Sequence, residues 1–309
     1  MAYKILTTSS SFGKVDPAPL ALLEAEGFDV TVNPYGRKLS VEESKEILKG
    51  YDGLIAGTEA LNDEVLSAAA GLKYLCRLGA GIDNVDLLAA KRQGITVENT
   101  PSAHVDGVAE LTLGGILSCL RNIANAHTNI TNGIWEKPMG NLLKEKTVGI
   151  IGLGRVGCRL VELLSPFKVK VLAFDLYQNT EFAEKHNVSF VGMDELISTS
   201  DIITIHTPYS PEAKHMVNAE FFSKAKRSLC LVNGSRGGLV DEDALVEFLK
   251  SNSTASAYID TFEKEPYAGP LSKMKNCTLT PHIGSYASEV RINMEMEAAQ
   301  NVINYFKKK

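Results

Sequence analysis

Three residues in the second half of the chain carry side chains suited to one reaction. Arg236 lies in L-V-N-G-S-R-G-G-L-V-D, an apolar run that breaks into glycines; Glu265 lies in D-T-F-E-K-E-P, and His282 in T-P-H-I-G-S. Each comes close to a turn after an apolar, strand-like segment. A guanidinium can clamp a carboxylate through two hydrogen bonds and polarise the adjacent keto oxygen. An imidazole is the natural proton donor to a developing alkoxide near neutral pH, and a carboxylate beside it fixes its tautomer. Taken singly, each residue has an ordinary structural explanation: a strand-end cation on exposed carbonyls, a surface carboxylate, a loop histidine. Together they supply the three functions that reduction of a 2-keto acid requires.

Such a reduction also needs a hydride source. The stretch V-G-I-I-G-L-G-R-V-G, residues 148–157, has the shape of a nucleotide-binding turn. Glycines at this spacing recur by chance, and a plain strand–helix turn would read the same way. The setting selects the nucleotide. Residues 147–151 read as a buried strand and 155–166 as a helix, and the next strand, 170–174, ends at Asp175. In a βαβ unit of this kind Gly152 makes the turn, Gly154 lets the backbone approach a pyrophosphate, and Gly157 permits close helix packing; the helix N-terminus favours the phosphate charge. Asp175 would accept hydrogen bonds from the adenosine ribose. No arginine or lysine follows it in D-L-Y-Q-N-T to meet a 2′-phosphate, so NAD is expected rather than NADP.

The elements that must position these residues alternate along the whole chain. Strands are expected at 3–6, 29–32, 53–56, 73–78 and 95–97, with helices at 18–26, 41–48 and 85–92 between them. The second half repeats the rhythm with strands at 147–151, 170–174, 189–191, 202–206, 229–233 and 255–259. The fold class expected is α/β, with two doubly wound, Rossmann-like parallel sheets covered by helices on both faces. Residues 102–125, which follow the helix-entry signal Thr100-Pro101, read as one long helix, and 288–306 as a closing one.

Composition narrows the class of partner. The 309 residues leave room for two domains, each with its own core. A formal net charge of −5 argues against a nucleic-acid or anionic-membrane partner, and the basic residues 307–309 read as a solvated terminus. No apolar run reaches the ~18 residues of a membrane span, and the N-terminus does not read as a signal peptide. The five cysteines (Cys76, Cys119, Cys158, Cys230, Cys277) are scattered and never form C-x-x-C. They read as reduced residues of a cytoplasmic protein, and neither they nor the six histidines suggest a metal.

The ordered set R-L-G-A-G-I-D-N-V-D, N-T-P, V-A-E, G-L-G-R-V-G, N-G-S-R-G-G-L-V-D, D-T-F-E-K-E-P and T-P-H-I-G-S resembles the D-isomer-specific 2-hydroxyacid dehydrogenases over nearly the whole chain. More narrowly, it resembles the short form of D-3-phosphoglycerate dehydrogenase. The resemblance implies a nucleotide domain inserted into a substrate domain, which explains a glycine turn at mid-chain. The substrate domain would comprise residues 1–99 and 287–309, and the NAD-binding domain 100–286. It implies Arg236 as carboxylate anchor, His282 as acid/base and Glu265 as its partner. Arg155 and Val156 should lie at the pyrophosphate. Thr207, Pro208 and Gly234 should line the cofactor groove, with Asp260, His282 and Gly284 on its nicotinamide side. Backbone N–H groups around Gly79, Ala80 and Gly81 would receive the substrate carboxylate. Residues 102–125 correspond to a dimerisation arm, so a homodimer is implied.

For the substrate, Arg77 is the pointer to a phosphate, since phosphoglycerate dehydrogenases carry an arginine at this place; a strand-end surface arginine is the plain alternative. Lys137 falls where related enzymes offer a basic residue to the neighbouring subunit. One departure counts against phosphate: where some phosphoglycerate dehydrogenases place a further arginine, G-L-I-A-G-T-E has Gly57, with Glu59 nearby. D-3-phosphoglycerate is the first expectation and places the chain in serine biosynthesis. Glyoxylate or hydroxypyruvate reduction is the alternative. Regulation through a C-terminal domain like that of longer phosphoglycerate dehydrogenases is not expected. An NADH-responsive corepressor of the same fold is the rival from another class, and formate or phosphite dehydrogenases are further relatives; neither has a positive feature here.

Overall fold

The computed structural model describes residues 2–307, so Lys308 and Lys309 of the basic terminus lie outside the described residues. The chain divides into two compact units. One comprises residues up to His104 together with those from Tyr286 onward, and the other is Val105–Ser285.

The first unit holds five strands: β1 (Lys4–Thr7), β2 (Asp29–Val32), β3 (Gly53–Ala56), β4 (Tyr74–Arg77) and β5 (Thr96–Asn99). They pair in parallel in the order β2-β1-β3-β4-β5. Parallel strands covered on both faces must be apolar throughout, and β3, G-L-I-A, is buried at all four positions. One face carries Leu48, Leu61, Val65, Leu66 and Ala89 from the interleaved helices and the loops beside them. The other is covered by the closing helix, Ser288–Lys307, which buries Val290, Met294, Ala298, Val302 and Phe306 against Ile5, Ile55 and Tyr74. This helix completes the core of a unit whose strands all precede residue 100.

The second unit contains β6 (Thr147–Ile151), β7 (Lys170–Phe174), β8 (Val188–Phe190), β9 (Ile202–Ile205), β10 (Cys230–Asn233), β11 (Ser256–Ile259) and β12 (Cys277–Leu279). The order is β12-β11-β10-β9-β6-β7-β8, again parallel throughout. Most strands fall within a residue or two of their expected places; β12 was not expected.

The long helix expected over 102–125 is instead two helices, Val105–Arg121 and Ile123–Thr131. The break is at Asn122, whose φ of 53° is left-handed and stops the hydrogen-bond ladder. Its side-chain amide donates to the Met139 carbonyl at 3.2 Å, which holds the turn. No helix among the described residues is long and apolar enough to cross a membrane.

Candidate active site

The glycine turn joins β6 to the helix Arg155–Leu164. Gly152 has φ of 95°, and a Cβ there would lie 2.7 Å from the His206 carbonyl carbon, so only glycine fits. A Cβ on Gly157 would come within 2.4 Å of the Gly152 oxygen, which sets how closely helix and strand pack. Gly154 differs: nothing lies within 4 Å of its absent side chain. It is also the N-cap of a helix whose first amides receive no side-chain cap. Open space before uncapped amides is what an approaching pyrophosphate needs. Arg155 is exposed beside this space, whereas Val156 turns its side chain into the apolar core and leaves only its backbone to a ligand.

Asp175 stands just past β7. Its Oδ2 accepts from Leu153 N–H at 2.7 Å and its Oδ1 from Tyr177 N–H at 2.9 Å, which fixes the carboxylate and leaves each oxygen capacity for a ribose hydroxyl. His206 follows the neighbouring strand β9, its Nε2 2.9 Å from Thr204 Oγ1. Burial pushes this imidazole down to about 4, so it adds no charge to the turn at neutral pH. Thr207 is half-buried and Pro208 exposed in the loop that follows. Gly234, past β10, has only an ordinary 3.8 Å contact to Thr112 Oγ1 where a Cβ would sit.

Arg236, Glu265 and His282 lie beyond the carboxyl ends of β10, β11 and β12. The G-S-R turn is wrapped around the buried Asn233: its Oδ1 accepts from Ser235 N–H at 3.1 Å, and its Nδ2 donates to the Arg236 carbonyl at 2.9 Å. Arg236 is extended and half-buried, with Nη1 donating to the Ser235 carbonyl at 2.8 Å. Gly237 is required next, because a Cβ would meet the Phe262 carbonyl carbon at 1.9 Å. That approach sets the Arg236 turn against the loop carrying Glu265. Glu265 Oε1 accepts from Phe262 N–H at 3.1 Å, and His282 Nδ1 lies 3.1 and 3.0 Å from its two oxygens. A carboxylate can only accept, so Nδ1 carries the proton and Nε2 is the nitrogen available to a ligand.

Asp260, fully buried, fastens the loop on which His282 stands. Its Oδ1 accepts from Thr280 Oγ1 at 2.5 Å and from Ile283 N–H at 2.9 Å; its Oδ2 accepts from Gly284 N–H at 2.9 Å. Thr280 spends its proton on Asp260, so the Tyr258 hydroxyl at 2.6 Å donates to Thr280. Burial pushes that phenol up to about 12, which keeps its proton in place. His282 itself has φ of 54°, a left-handed conformation that these bonds sustain.

In the first unit, Gly79 has φ of 132°, and the Arg77 guanidinium lies where its Cβ would be, with Nη1 donating to the Leu78 carbonyl at 2.7 Å. One expectation needs correcting here. The Gly79 N–H, expected to face a carboxylate, donates to Thr100 Oγ1 at 2.7 Å, because the positive φ turns it that way. Ala80 and Gly81 follow it in the same loop. Glu59, the acidic residue near Gly57, is buried.

Residues 113–284 match the model of the D-isomer specific 2-hydroxyacid dehydrogenase NAD-binding domain. The chain belongs to the D-isomer-specific 2-hydroxyacid dehydrogenase family. Like its relatives, the chain carries an NAD-binding domain, and the open turn at Gly154 with Asp175 just past β7 suits that cofactor. It is 38% identical over 278 residues to a glyoxylate reductase of Thermofilum pendens, with 87% of this chain and 82% of the relative covered. It is 36% identical over 274 residues to a D-3-phosphoglycerate dehydrogenase of Archaeoglobus fulgidus, covering 87% of this chain and 52% of the relative. The chain thus spans about half the length of that curated relative. The crystal structure of the TT0316 protein from Thermus thermophilus superposes with a TM-score of 0.90 at 30% identity, covering 99% of this chain and 97% of that one.

Four residues of the candidate site escape a reading of the sequence: Asn233, Gly237, Tyr258 and Thr280. Asn233 and Gly237 leave a faint signal, a polar residue closing an apolar strand and a paired glycine after Arg236. Tyr258 and Thr280 leave none, since what they do depends on β11 and β12 being neighbours.

Proposed function

We propose that this chain catalyses the NAD-dependent interconversion of a 2-keto acid and a D-2-hydroxy acid. The observation that carries this reading is the His282–Glu265 pair, with Nδ1 within 3.1 Å of both carboxylate oxygens, in the same unit as the open glycine turn. NAD, when bound, supplies or accepts the hydride. The Arg236 guanidinium holds the substrate carboxylate and draws electron density from the keto oxygen. His282 Nε2 donates the proton that the forming alkoxide needs, and Glu265 keeps the Nδ1 proton in place and balances the imidazolium charge. In the oxidation direction the same Nε2 receives the hydroxyl proton. Ala80 and Gly81 offer backbone N–H groups to the carboxylate. The backbone at Gly154, Arg155 and Val156 holds the pyrophosphate, and Asp175 the ribose. Thr207, Pro208 and Gly234 line the groove, and Asp260 and Gly284 complete its nicotinamide side.

The Asp175 assignment has its own test. Replacement by serine is expected to raise the NADPH-to-NADH ratio of kcat/KM by ~10-fold or more, because a carboxylate facing a 2′-phosphate costs several kcal/mol. Equal use of the two cofactors by the unaltered enzyme would overturn the assignment.

Two substrate readings stand. Arg77, half-buried at the end of β4, supports D-3-phosphoglycerate and a place in serine biosynthesis. Gly57 and the buried Glu59, where a second phosphate-binding cation is wanted, favour hydroxypyruvate or glyoxylate. The relatives described above carry names of both kinds. NADH oxidation against 3-phosphohydroxypyruvate, hydroxypyruvate and glyoxylate separates them. A preference for the phosphorylated acid of ~100-fold in kcat/KM, ~2.7 kcal/mol of transition-state discrimination, would establish the first. A preference for hydroxypyruvate or glyoxylate would establish the second, and a flat profile would leave the reaction intact without selecting either acid. No turnover of any 2-keto acid would overturn the reaction itself.

A homodimer accords with the exposed apolar side chains of Ile130, Trp135, Met139 and Leu142, beyond the Val105–Arg121 helix. Lys137 is exposed on the same segment. The five free cysteines accord with a cytoplasmic setting.

A further inference from the structure

The loop D-T-F-E-K-E-P carries a second histidine–carboxylate pair beside the first. Glu265 meets His282, and two residues earlier Glu263 meets His215, whose Nε2 lies 3.0 Å from Glu263 Oε1. Both pairs belong to the Val105–Ser285 unit. A carboxylate can only accept, so His215 Nε2 carries the proton of this bond. The proton-transfer chemistry proposed above has no use for the second pair.

His215 closes the loop that leaves β9 and carries Thr207 and Pro208. Its φ of 53° is left-handed, and two bonds sustain that conformation. Its N–H donates to the Gly238 carbonyl at 2.9 Å, two residues past Arg236, and its side chain reaches Glu263. Tyr209 of the same loop lies against Gly238, where a Cβ would come within 2.7 Å of its ring.

Phe262 stands between the two pairs. Its N–H donates to Glu265 Oε1 at 3.1 Å, Gly237 packs directly on its carbonyl, and its ring stacks on Tyr267 with centroids 4.2 Å apart. The next amide, Glu263 N–H, donates at 2.8 Å to Oε1 of Glu242, the first residue of the helix Glu242–Ser251. Residue 263 is therefore gripped twice, through its amide by Glu242 and through its side chain by His215. Burial pushes the Glu242 carboxyl up from its ordinary range, and the neighbouring Glu263 charge adds to the push. A donor on the far side of Glu263 draws that charge toward His215 and lets the two carboxylates share one short stretch of backbone.

We propose that His215 is a positioning residue for the proton transfer: through Glu263 it fixes the Phe262–Glu263 peptide, and with it the Phe262 N–H that orients Glu265 toward His282. The inference rests on the dehydrogenase reading, because it acts through the His282–Glu265 pair. The His215–Glu263 bond is only partly buried and contributes little to the stability of the fold. Its consequence is geometric. A displaced Phe262 N–H frees Glu265 Oε1, and the imidazole it steadies loses its direction; misplacement of that order can cost up to ~100-fold in rate.

The test measures kcat, KM and NADH affinity in His215→Asn and His215→Gln, with glyoxylate, hydroxypyruvate and 3-phosphohydroxypyruvate. Asparagine accepts the left-handed backbone but is too short to reach Glu263, whereas glutamine places its amide nitrogen near the position of Nε2. His215→Asn should lower kcat ~10-fold with KM and NADH affinity within ~2-fold, and His215→Gln should recover kcat to within ~3-fold of the unaltered enzyme. The opposite order, with glutamine the more damaging, would assign the effect to the backbone angle and overturn the proposal. An unchanged kcat in His215→Asn, or a change in KM alone, also overturns it. Glu263→Ala, at an exposed position, supplies a second arm should the His215 variants fail to fold: a ~10-fold lower kcat supports the proposal, and a kcat within ~2-fold overturns it. The double variant His215→Asn/Glu263→Ala should lose no more than either single one, because one bond is broken either way; losses that multiply to ~100-fold would mean that the two residues act separately. The dehydrogenase reading survives each adverse result, since the unaltered enzyme still reduces a keto acid. No turnover of any keto acid by the unaltered enzyme removes both.

Discussion

His282→Ala is expected to lower kcat for keto-acid reduction by ~10³-fold or more while leaving NADH affinity within ~3-fold. The expectation follows from position. The imidazole is held through Nδ1 by both oxygens of Glu265, at 3.1 and 3.0 Å, so Nε2 is the one nitrogen free to exchange a proton with substrate. Removing the ring leaves water to protonate the alkoxide. Glycine turn and Asp175 are untouched, so cofactor binding should persist. The readouts are single-turnover NADH oxidation and NADH fluorescence titration. Turnover within ~10-fold of the unaltered enzyme, with binding intact, would remove His282 from the proton-transfer role.

Arg236→Lys should be nearly as damaging despite keeping the charge. A lysine ammonium cannot reproduce the planar fork that meets two carboxylate oxygens at once. Its flexible stem would also lose the bond from Arg236 Nη1 to the Ser235 carbonyl at 2.8 Å, which now orients the group. Losing one partner of a desolvated charge pair costs ~2–5 kcal/mol, or ~30- to several-thousand-fold in kcat/KM. The loss should appear with every 2-keto acid alike, because the carboxylate is common to all. A loss confined to one substrate would mean that Arg236 reads the side chain of the acid, not its carboxylate.

The fold was largely legible because parallel strands buried on both faces announce themselves as apolar runs. Residues 53–56, 147–151 and 170–174 coincide with β3, β6 and β7. β12 escaped because its three residues are only half-buried at a sheet edge, leaving no run to see. The break at Asn122 escaped for another reason. Apolar periodicity continues through Leu120 and Ile123, and the break rests on a backbone angle held by Met139, seventeen residues away.

The candidate site was legible as a set of residue types but not as a set of partners. Arg236, Glu265 and His282 stand out by chemistry. That Asp260 fastens the His282 loop through Thr280, Ile283 and Gly284 could not be read, because it depends on β11 lying beside β12. Through family resemblance Asp260 suggested only a contact to the cofactor. The burial of Glu59 was not legible either, because the groups that meet it, Thr8 and Gly57, come from two different strand ends.

The closing helix also bears on synthesis. The second unit is one continuous stretch, Val105–Ser285, and all its strands are synthesised before that helix. The first unit's sheet emerges earlier but must wait for Val290, Met294, Ala298, Val302 and Phe306 to cover Ile5, Ile55 and Tyr74. The polypeptide therefore finishes its middle before its beginning, and a nascent chain arrested before residue 288 would present one bare apolar sheet face to chaperones.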